Sequence, residues 1–592
     1  MNKKLTTSLV ASLLIATNLT ANQTLDTITV TSATKSEQSI KDVTSNVEVI
    51  TSQDIEERHF TNVSDALKTL TGIAITSNGG VGQLDSLFIR GVQAKRILIL
   101  IDGIRYNEPA GLSGAPLAQL NIDDVEQIEV LKGASSGIWG ADASGGVVNI
   151  ITKKSKMGTT GNLGFEVGSF KTRKYIANIS TKNKTGYVQV NANRIETDGI
   201  SAHEEFGKDW DKEGLEKDGY SNNTYNIKGG IYLTHNDEIN LSFKKISARY
   251  DYDSTTADNL TNKSKIDHFF KSANYVHLND NYKFNFSVSQ SKFDRTQNTF
   301  NAKSLVNEFA LQSDINYGKN SKIIFGLNKQ NFEDTKNERK YNTEAIYISN
   351  SNAFDKLLLS QTLRYDNNSK FEEKVTGKIG AKYNFTEDFN LSSNYGTAYN
   401  APSLGNLSYT PTLKPETTKS FDLNMEYKNL KVTYFETEIK DMINHKFVPS
   451  FHYINEEGVS KFKGYELSYK KDVFEDTILS LNYTHLSAKN SDKQDLSRRA
   501  KRNLGFAVDY YGFAKTHINV NGSYVGTRYN SSNKAGRQTG RYTLWNTVVN
   551  YEINKDLSTY LKVDNITDKY YQTVDGYATA GRSAYVGLNY KF

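Results

Sequence analysis

The rhythm of apolar and polar residues along this chain changes once, near residue 155. Beyond that point the period is two. Val188, Val190 and Ala192 alternate with Gln189, Asn191 and Asn193; Ile239, Leu241 and Phe243 with Asn240, Ser242 and Lys244; Phe284, Phe286 and Val288 with Asn285, Ser287 and Ser289. Leu479, Leu481 and Tyr483, then Ile518 and Val520, repeat the theme. Side chains two apart share a face of a strand, so each segment has one apolar and one polar face. A sandwich of two sheets could carry such strands. Sustained to residue 592 without a second boundary, the pattern fits a closed barrel better, because closure removes edge strands. The chain ends on the same beat, with Ala584, Val586, Leu588, Tyr590 and Phe592 on one face.

Before residue 155 the pattern mixes helix and strand. Ser52–Gln53–Asp54–Ile55 and Asn62 to Leu67 each look like a cap leading into a short helix. Ile97 to Ile101 is a continuous apolar run that predicts a buried central strand, and Asp102–Gly103 after it is a hairpin signal. From Val125 to Lys154 an alternating strand enters a turn dense in glycine (Gly133, Gly137, Gly140, Gly145, Gly146) and leaves as the apolar run from Val147 to Thr152. Glycines so placed mean tight turns or close backbone approach. An ordinary hairpin would satisfy the physics alone.

Composition supports a membrane barrel without requiring one. The chain has 592 residues, 36 Tyr and 28 Phe but only 6 Pro and no Cys, and its mean hydropathy is −0.58. A barrel with alternate residues facing lipid and aromatics at both interfaces reads this way, and so does a large soluble β-protein. No apolar stretch is long enough for a transmembrane helix. Lys3 and Lys4, the apolar Leu9–Ala16 and small residues ending at Ala21 predict an export signal over 1–21. Export without cysteine suits an oxidising compartment and excludes thiolate chemistry. The net charge of +6 is dispersed, so nucleic acid is not a partner. The nine His are scattered, and His203–Glu204–Glu205 lacks the second spaced His of a zinc helix, so no enzyme is read.

The run VEQIEVLKGASSGIWGADASGGVVNIIT resembles the plug domain of TonB-dependent outer-membrane receptors. Phe88–Ile89–Arg90–Gly91 and Leu100 to Arg105 match two further plug blocks, and the C-terminal strand is similar to those by which outer-membrane barrels are recognised for assembly. The resemblance implies an all-β transmembrane barrel of 22 antiparallel strands with an N-terminal mixed α/β plug domain in its lumen. At ~20 residues per strand and loop the chain length allows this. The implied division is a signal peptide (1–21), a TonB box with an N-terminal periplasmic segment (22–36), the plug (37–155) and the barrel (156–592).

Asp26, Thr27, Ile28, Thr29, Val30 and Thr31 are, by themselves, a short β-prone segment near a terminus; their placement resembles the TonB box. An extended β-branched strand can add to a partner's sheet edge through backbone hydrogen bonds. Arg90 and Arg105 either touch ligand or, the favoured reading, pair with carboxylates of the barrel wall. Two small, polar loops, 77–86 and 107–114, are expected to face outward.

In those loops, and in Ser497 to Lys501 and Gly576 to Arg582, the wording looks like the cobalamin receptors of the family. This implies corrinoid contacts at Ser86, Gln93, Leu112, Ser113 and Arg498, although Gln93 replaces the expected Asn and Pro109 looks inserted. A ferric siderophore or haem is the alternative cargo. The partners implied are cobalamin or a related corrinoid, TonB with ExbB and ExbD, outer-membrane lipid and lipopolysaccharide, and a periplasmic cobalamin-binding protein downstream. The outer membrane of a Gram-negative bacterium is the implied location. Acidic residues from Glu196 to Asp267 are either a solvated loop or a calcium site, with Glu216, Asp218 and Asp251 or Asp253 as the implied ligands and Ser201 at one position where a carboxylate is expected.

Overall fold

Twenty-two antiparallel strands, from Gly158–Gly168 to Ser583–Lys591, run up and down in chain order and close into one barrel in this computed structural model, as the periodicity and the resemblance led us to expect. The structure describes residues 28–204, 215–298, 300–318, 320–448 and 450–592; the expected signal at 1–21 lies outside them, with Asp26 and Thr27. Closure is made by the first and last strands, where Leu163 faces Tyr590, Phe165 faces Leu588 and Val167 faces Val586. These six side chains are exposed on the outer wall, while Asn191, Asn193, Asn222, Thr224 and Asn226 are buried on the inner one. The apolar face thus looks outward, the reverse of a soluble barrel. Exposing it to water would cost about 25 cal/mol per Å², so lipid must cover it. No helix among the described residues is long and apolar enough to cross a membrane; the strands do so.

The two ends of the barrel differ. At one end the turns are short, as at 233–236, 279–281, 355–356 and 514–515; at the other, long connections run over 198–219, 401–415, 490–501, 526–541 and 565–582. Short turns mark the periplasmic side and long loops the outside.

The plug fills the lumen. Its five-stranded sheet has the order 47–50, 125–132, 146–152, 97–101, 104–105. Ile97–Ile101 is buried along its whole length, parallel to Gly146–Ile150, and returns through Asp102–Gly103 with positive φ at both residues (50° and 82°). Val125–Lys132 and Gly146–Thr152 pair antiparallel, but Ser136–Trp139 forms a helical turn between them, so the glycine-rich run is an excursion and not a tight hairpin. Gly146 has φ +150°, and a Cβ there would lie 2.6 Å from the Leu131 carbonyl; no other residue fits. The helix expected at Ser52 is Ser52–Arg58, capped one residue earlier by Thr51, because Asp54 at its third position can then bond back to Thr51. Asn62 caps Val63–Leu67 as expected. A second sheet (73–77, 85–89, 92–93) carries the plug toward the long-loop end. It absorbs Ser77, Asp85 and Ser86, so the first outward loop is shorter than expected and runs over 78–84.

Candidate functional site

The outward tip of the plug is built from two neighbouring pieces. Val92–Gln93 pairs with Phe88–Ile89, and the loop after Asn107 returns so closely that a Cβ on Gly114 would lie 2.8 Å from the Ala94 carbonyl carbon. Gln93 and Ser113 are therefore brought together. Ser86 stands on the same face of its strand as Phe88. Leu112 packs beside Gly405 in the helix Leu404–Tyr409 of the barrel's outer loop. Arg498 stands apart: its Nε donates to Asn530 Oδ1 at 2.9 Å.

The neighbour Arg499 is the residue that touches the plug. Its Nε donates to the Gly91 carbonyl at 3.1 Å, and its guanidinium lies 4.7 Å over the Phe88 ring. Lys95 donates to the Ile443 carbonyl at 2.8 Å, and Arg96 pairs with Glu416 at 2.6 Å. Arg528 is buried with its Nε unpartnered and faces Arg498. Cations thus crowd one another here. Burial together with Arg96 pushes Lys95 down to about 7, and burial with Arg96 and Arg498 pushes Arg499 down to about 9. Sequence reasoning named only Arg498 of this group. Of the others, Arg499 is its neighbour in sequence, while Lys95 with Arg96 and Arg528 come from two distant stretches of chain that nothing in their spacing joins to it.

Below the tip, charged pairs hold plug to wall. Arg90 makes a two-pronged contact with Glu466 (2.9 and 3.1 Å), which also accepts from Lys132 at 3.3 Å. Lys174 meets Asp123 at 2.6 Å and Lys244 meets Asp124 at 2.7 Å. Arg90 therefore does what was expected of it. Arg105 does not: it bonds Asp142 of the plug itself at 2.6 Å, because the excursion after Gly140 brings that carboxylate closer than any on the wall.

The acidic residues form a second cluster on the outer loops. Single carboxylate oxygens of Glu216, Asp253 and Asp258 lie within 4.8 Å of one another, and Asp218 bonds Asp253. Burial and the neighbouring carboxylates push Glu216 up to about 7 and Asp218 up to about 8. Both oxygens of Glu216, Oδ1 of Asp218 and Oδ1 of Asp258 are buried without a hydrogen bond. Hard, crowded, under-satisfied oxygens fit a calcium ion. Asp251 is outside the group; it is drawn to Lys263 at 3.8 Å, and Asp258 stands in its place. Ser201 reaches Asp253 at 3.4 Å.

This cluster adjoins the tip. Gln83 of the plug donates to the Asp251 carbonyl at 2.6 Å, and His203 pairs with Tyr577 of the loop that faces Arg498. Glu205, Asp209, Asp211 and Glu213 lie outside the described residues.

On the opposite, periplasmic side, Ile28 to Ser36 is folded against the plug. Thr29–Val30 pairs with Gln38–Ser39, and Val30 is buried against Leu98, Val147 and Trp139. The Glu129 carboxylate accepts from the backbone of Thr31 at 3.0 Å and Ser32 at 2.6 Å, and Trp139 Nε1 donates to the Ser32 carbonyl at 2.7 Å. Lys35 is held between Trp139 and Tyr347, 4.8 and 4.9 Å from their rings. The segment is extended, as its residues predict, but its described part is already paired, with Val30 buried and Thr29 exposed.

Comparison with known proteins follows this architecture. Residues 164–566 match the family model described as TonB dependent receptor-like, beta-barrel, and residues 39–147 match the TonB-dependent Receptor Plug Domain. The siderophore receptor PirA from Acinetobacter baumannii is similar in structure, with a TM-score of 0.81 at 18% identity over 92% of this chain and 98% of that one. The ferric enterobactin receptor PfeA from Pseudomonas aeruginosa, in complex with enterobactin, gives 0.78 at 17% identity over 92% and 99%. The ferric-catecholate import receptor Fiu from E. coli K12 gives 0.77 at 16% identity over 96% and 100%. At these identities the likeness is one of fold.

Proposed function

The chain belongs to the family of TonB-dependent receptors of the outer membrane, and from that premise we propose that it imports an anionic ferric siderophore bound at the plug tip. The observation that carries this reading is the crowding of Lys95, Arg96, Arg498, Arg499 and Arg528, with Glu416, among the described residues, the one carboxylate in direct contact with them. Crowded cations, with Lys95 and Arg499 pushed down by burial beside their neighbours, favour a ligand that brings negative charge, because its oxygens accept charge-assisted hydrogen bonds and relieve the mutual repulsion. The siderophore receptors of like fold agree with it. This shifts the preferred cargo away from the corrinoid that the loop wording implies.

Cobalamin is the second reading. It is favoured by the proximity of Gln93 and Ser113, whose side chains can donate to corrinoid amide carbonyls, and by the acidic cluster beside them. Glu216, Asp218, Asp253 and Asp258 would hold calcium under either reading and keep the outer loops ordered before ligand arrives, which lowers the ordering cost on binding.

Ligand resting on a filled lumen cannot pass without work delivered from the periplasm. TonB would supply it through Asp26 to Thr31, once the contacts of Glu129 with Thr31 and Ser32 give way. Calorimetry of the purified receptor with a ferric catecholate and with cobalamin decides the cargo. Tight binding of the ferric chelate alone is expected, and binding of cobalamin alone would overturn the first reading. An Ile28→Pro receptor should keep surface binding and lose uptake, because proline removes a backbone donor and fixes φ. Undiminished uptake would exclude this segment as the coupling site.

A further inference from the structure

The plug is not fastened evenly to the wall. On the strands Phe389–Asn400, Glu416–Tyr427, Thr477–Lys489 and Tyr542–Glu552, inward asparagines bond it directly. Asn394 Nδ2 donates to the Thr44 carbonyl at 2.8 Å, Asn482 Nδ2 to the Thr69 carbonyl at 3.0 Å and Asn550 Nδ2 to the Glu57 carbonyl at 2.8 Å, while Asn424 Oδ1 accepts from Asn46 at 2.9 Å. The first three strands of the barrel, Gly158–Gly168, Thr172–Lys182 and Gly186–Thr197, break this pattern. Their register sets Asn162 opposite Asn178 and Asn178 opposite Asn191, with Asn193 at the next inward position. Both amide atoms of Asn178 and of Asn193, Nδ2 of Asn191, Oδ1 of Asn162 and Oε1 of Gln189 are buried with no hydrogen-bond partner among the described residues. The plug is short of partners on the same side, at Gln119 Oε1, Asp123 Oδ2 and Asp124 Oδ1. Lys174 and Lys244 hold the two carboxylates by their other oxygens. Unpaired amides are costly in a dry interior, so a row of them beside carboxylate oxygens is a surface for water.

The row is open at one end and shut at the other. Toward the periplasm it joins a cavity of about 720 Å³ that Asn162, Ile176, Asp123 and Lys153 line and that reaches Lys515 at a short turn. A volume of this order is that of a small-molecule site. Toward the outside, about 7 Å along the strand from Asn193, the wall turns apolar. There Ile195, Tyr220, Ala248 and Tyr250 pack with Val81 of the plug loop 78–84. The Tyr220 ring lies so close to Gly82 that no Cβ would fit, and Gln119 Nε2 donates to the Gly82 carbonyl at 2.7 Å. The same loop touches the acidic cluster's support: a Cβ on Gly79 would lie 2.7 Å from that of Ala202, whose backbone N–H donates to Asp218 at 2.6 Å.

We propose that the amide row is a hydrated half-channel, open to the periplasm and closed at its outer end by loop 78–84 seated on Ile195, Tyr220 and Tyr250. Cargo, on the import reading above, leaves the plug tip along it once that loop lifts. Uncharged amides suit the work, since each can donate to or accept from a passing ligand and none holds it by charge. Only the seat of one loop has to open, while the bonds from the other strands keep the plug in the barrel.

The chain has no cysteine, so single cysteines report on the passage in the full receptor. Asn191→Cys and Asn193→Cys should react with a small hydrophilic thiol reagent at least tenfold faster than Ser420→Cys, an inward wall position packed on Gly133. Equal rates would overturn the hydrated row. Heat-modifiable migration confirms a folded barrel in each variant. In planar bilayers wild type should be silent, whereas Tyr220→Ala and, in a separate receptor, Ile195→Ala should pass small-ion current. Silence in both folded variants, or current through wild type, would overturn the gate. A bulky maleimide on the Asn191→Cys receptor should cut energised uptake of a ferric catecholate at least tenfold and spare its surface binding, with the same treatment of Ser420→Cys having no effect. Undiminished uptake by the modified receptor would overturn the cargo route. The cargo reading fails separately, as no catecholate binding by the unmodified receptor, and labelling and current then still decide the half-channel.

Discussion

The outward end of this receptor holds two crowded clusters of like charge, one basic at the plug tip and one acidic in the loops above it. In each cluster some members are pressed toward neutrality by burial and by their own neighbours: Lys95 is pushed down to about 7 and Asp218 up to about 8. Their supports differ. The basic group sits on plug strands and against the barrel wall, with Arg499 stacked on Phe88 and Lys95 tied to the Ile443 carbonyl. The acidic group sits on loops, joined to the tip through Gln83 and Tyr577. A cluster on a rigid base can select a ligand by position, whereas one on loops must first be ordered by its own counter-ion. We propose that the two clusters act in sequence, cation first and cargo second.

The largest expected effect separates them at the basic side. Arg499→Gln should weaken binding of a ferric catecholate by ~10–100-fold, the scale of losing one charge-assisted hydrogen bond at a buried site. Calorimetry measures it, with heat-modifiable migration confirming a folded barrel, and calcium affinity should not move. Equal loss of both affinities would mean that the clusters are one unit.

A smaller effect is expected from the acidic side. Chelating calcium, or Asp253→Asn, should reduce cargo affinity by roughly tenfold, because loops left unordered must be ordered at the expense of binding. Unchanged cargo affinity after chelation would break the proposed sequence.

The pH profiles should slope in opposite directions. An anion raises the pKa of Lys95 on binding, so cargo affinity should be full below about pH 7 and fall as pH rises through it; Lys95→Arg should flatten the slope. Calcium must displace protons from Glu216 and Asp218, so its apparent affinity should climb up to about pH 8.

The smallest effect concerns the loops without calcium. Carboxylates whose folded pKa lies above the unfolded value bind more protons when folded, so loop stability is greatest below about pH 4 and declines as pH rises toward 8. Hydrogen exchange over residues 215–219 and 252–259 should report that decline, and calcium should remove it.

The alternation after residue 155 determined the half-apolar strands, and its unbroken length favoured a closed barrel over a sandwich, because closure leaves no edge strand. The glycine spacing around Gly146 likewise determined where the plug backbone must pass close to itself. Caps were legible to within one residue, since Thr51 and Ser52 are chemically alike and only the reach of Asp54 separates them. Charge partners were not legible. Arg90 and Arg105 occupy similar plug blocks, yet one meets Glu466 of the wall and the other Asp142 of the plug. Arg499 displaced Arg498 as the residue on the plug, and Asp258 displaced Asp251 in the acidic cluster. Backbone pattern is written locally, in neighbours two or four residues apart. The partner of a charge is fixed by which distant segments the closed barrel and its plug bring within a few ångströms, and that is settled only in three dimensions.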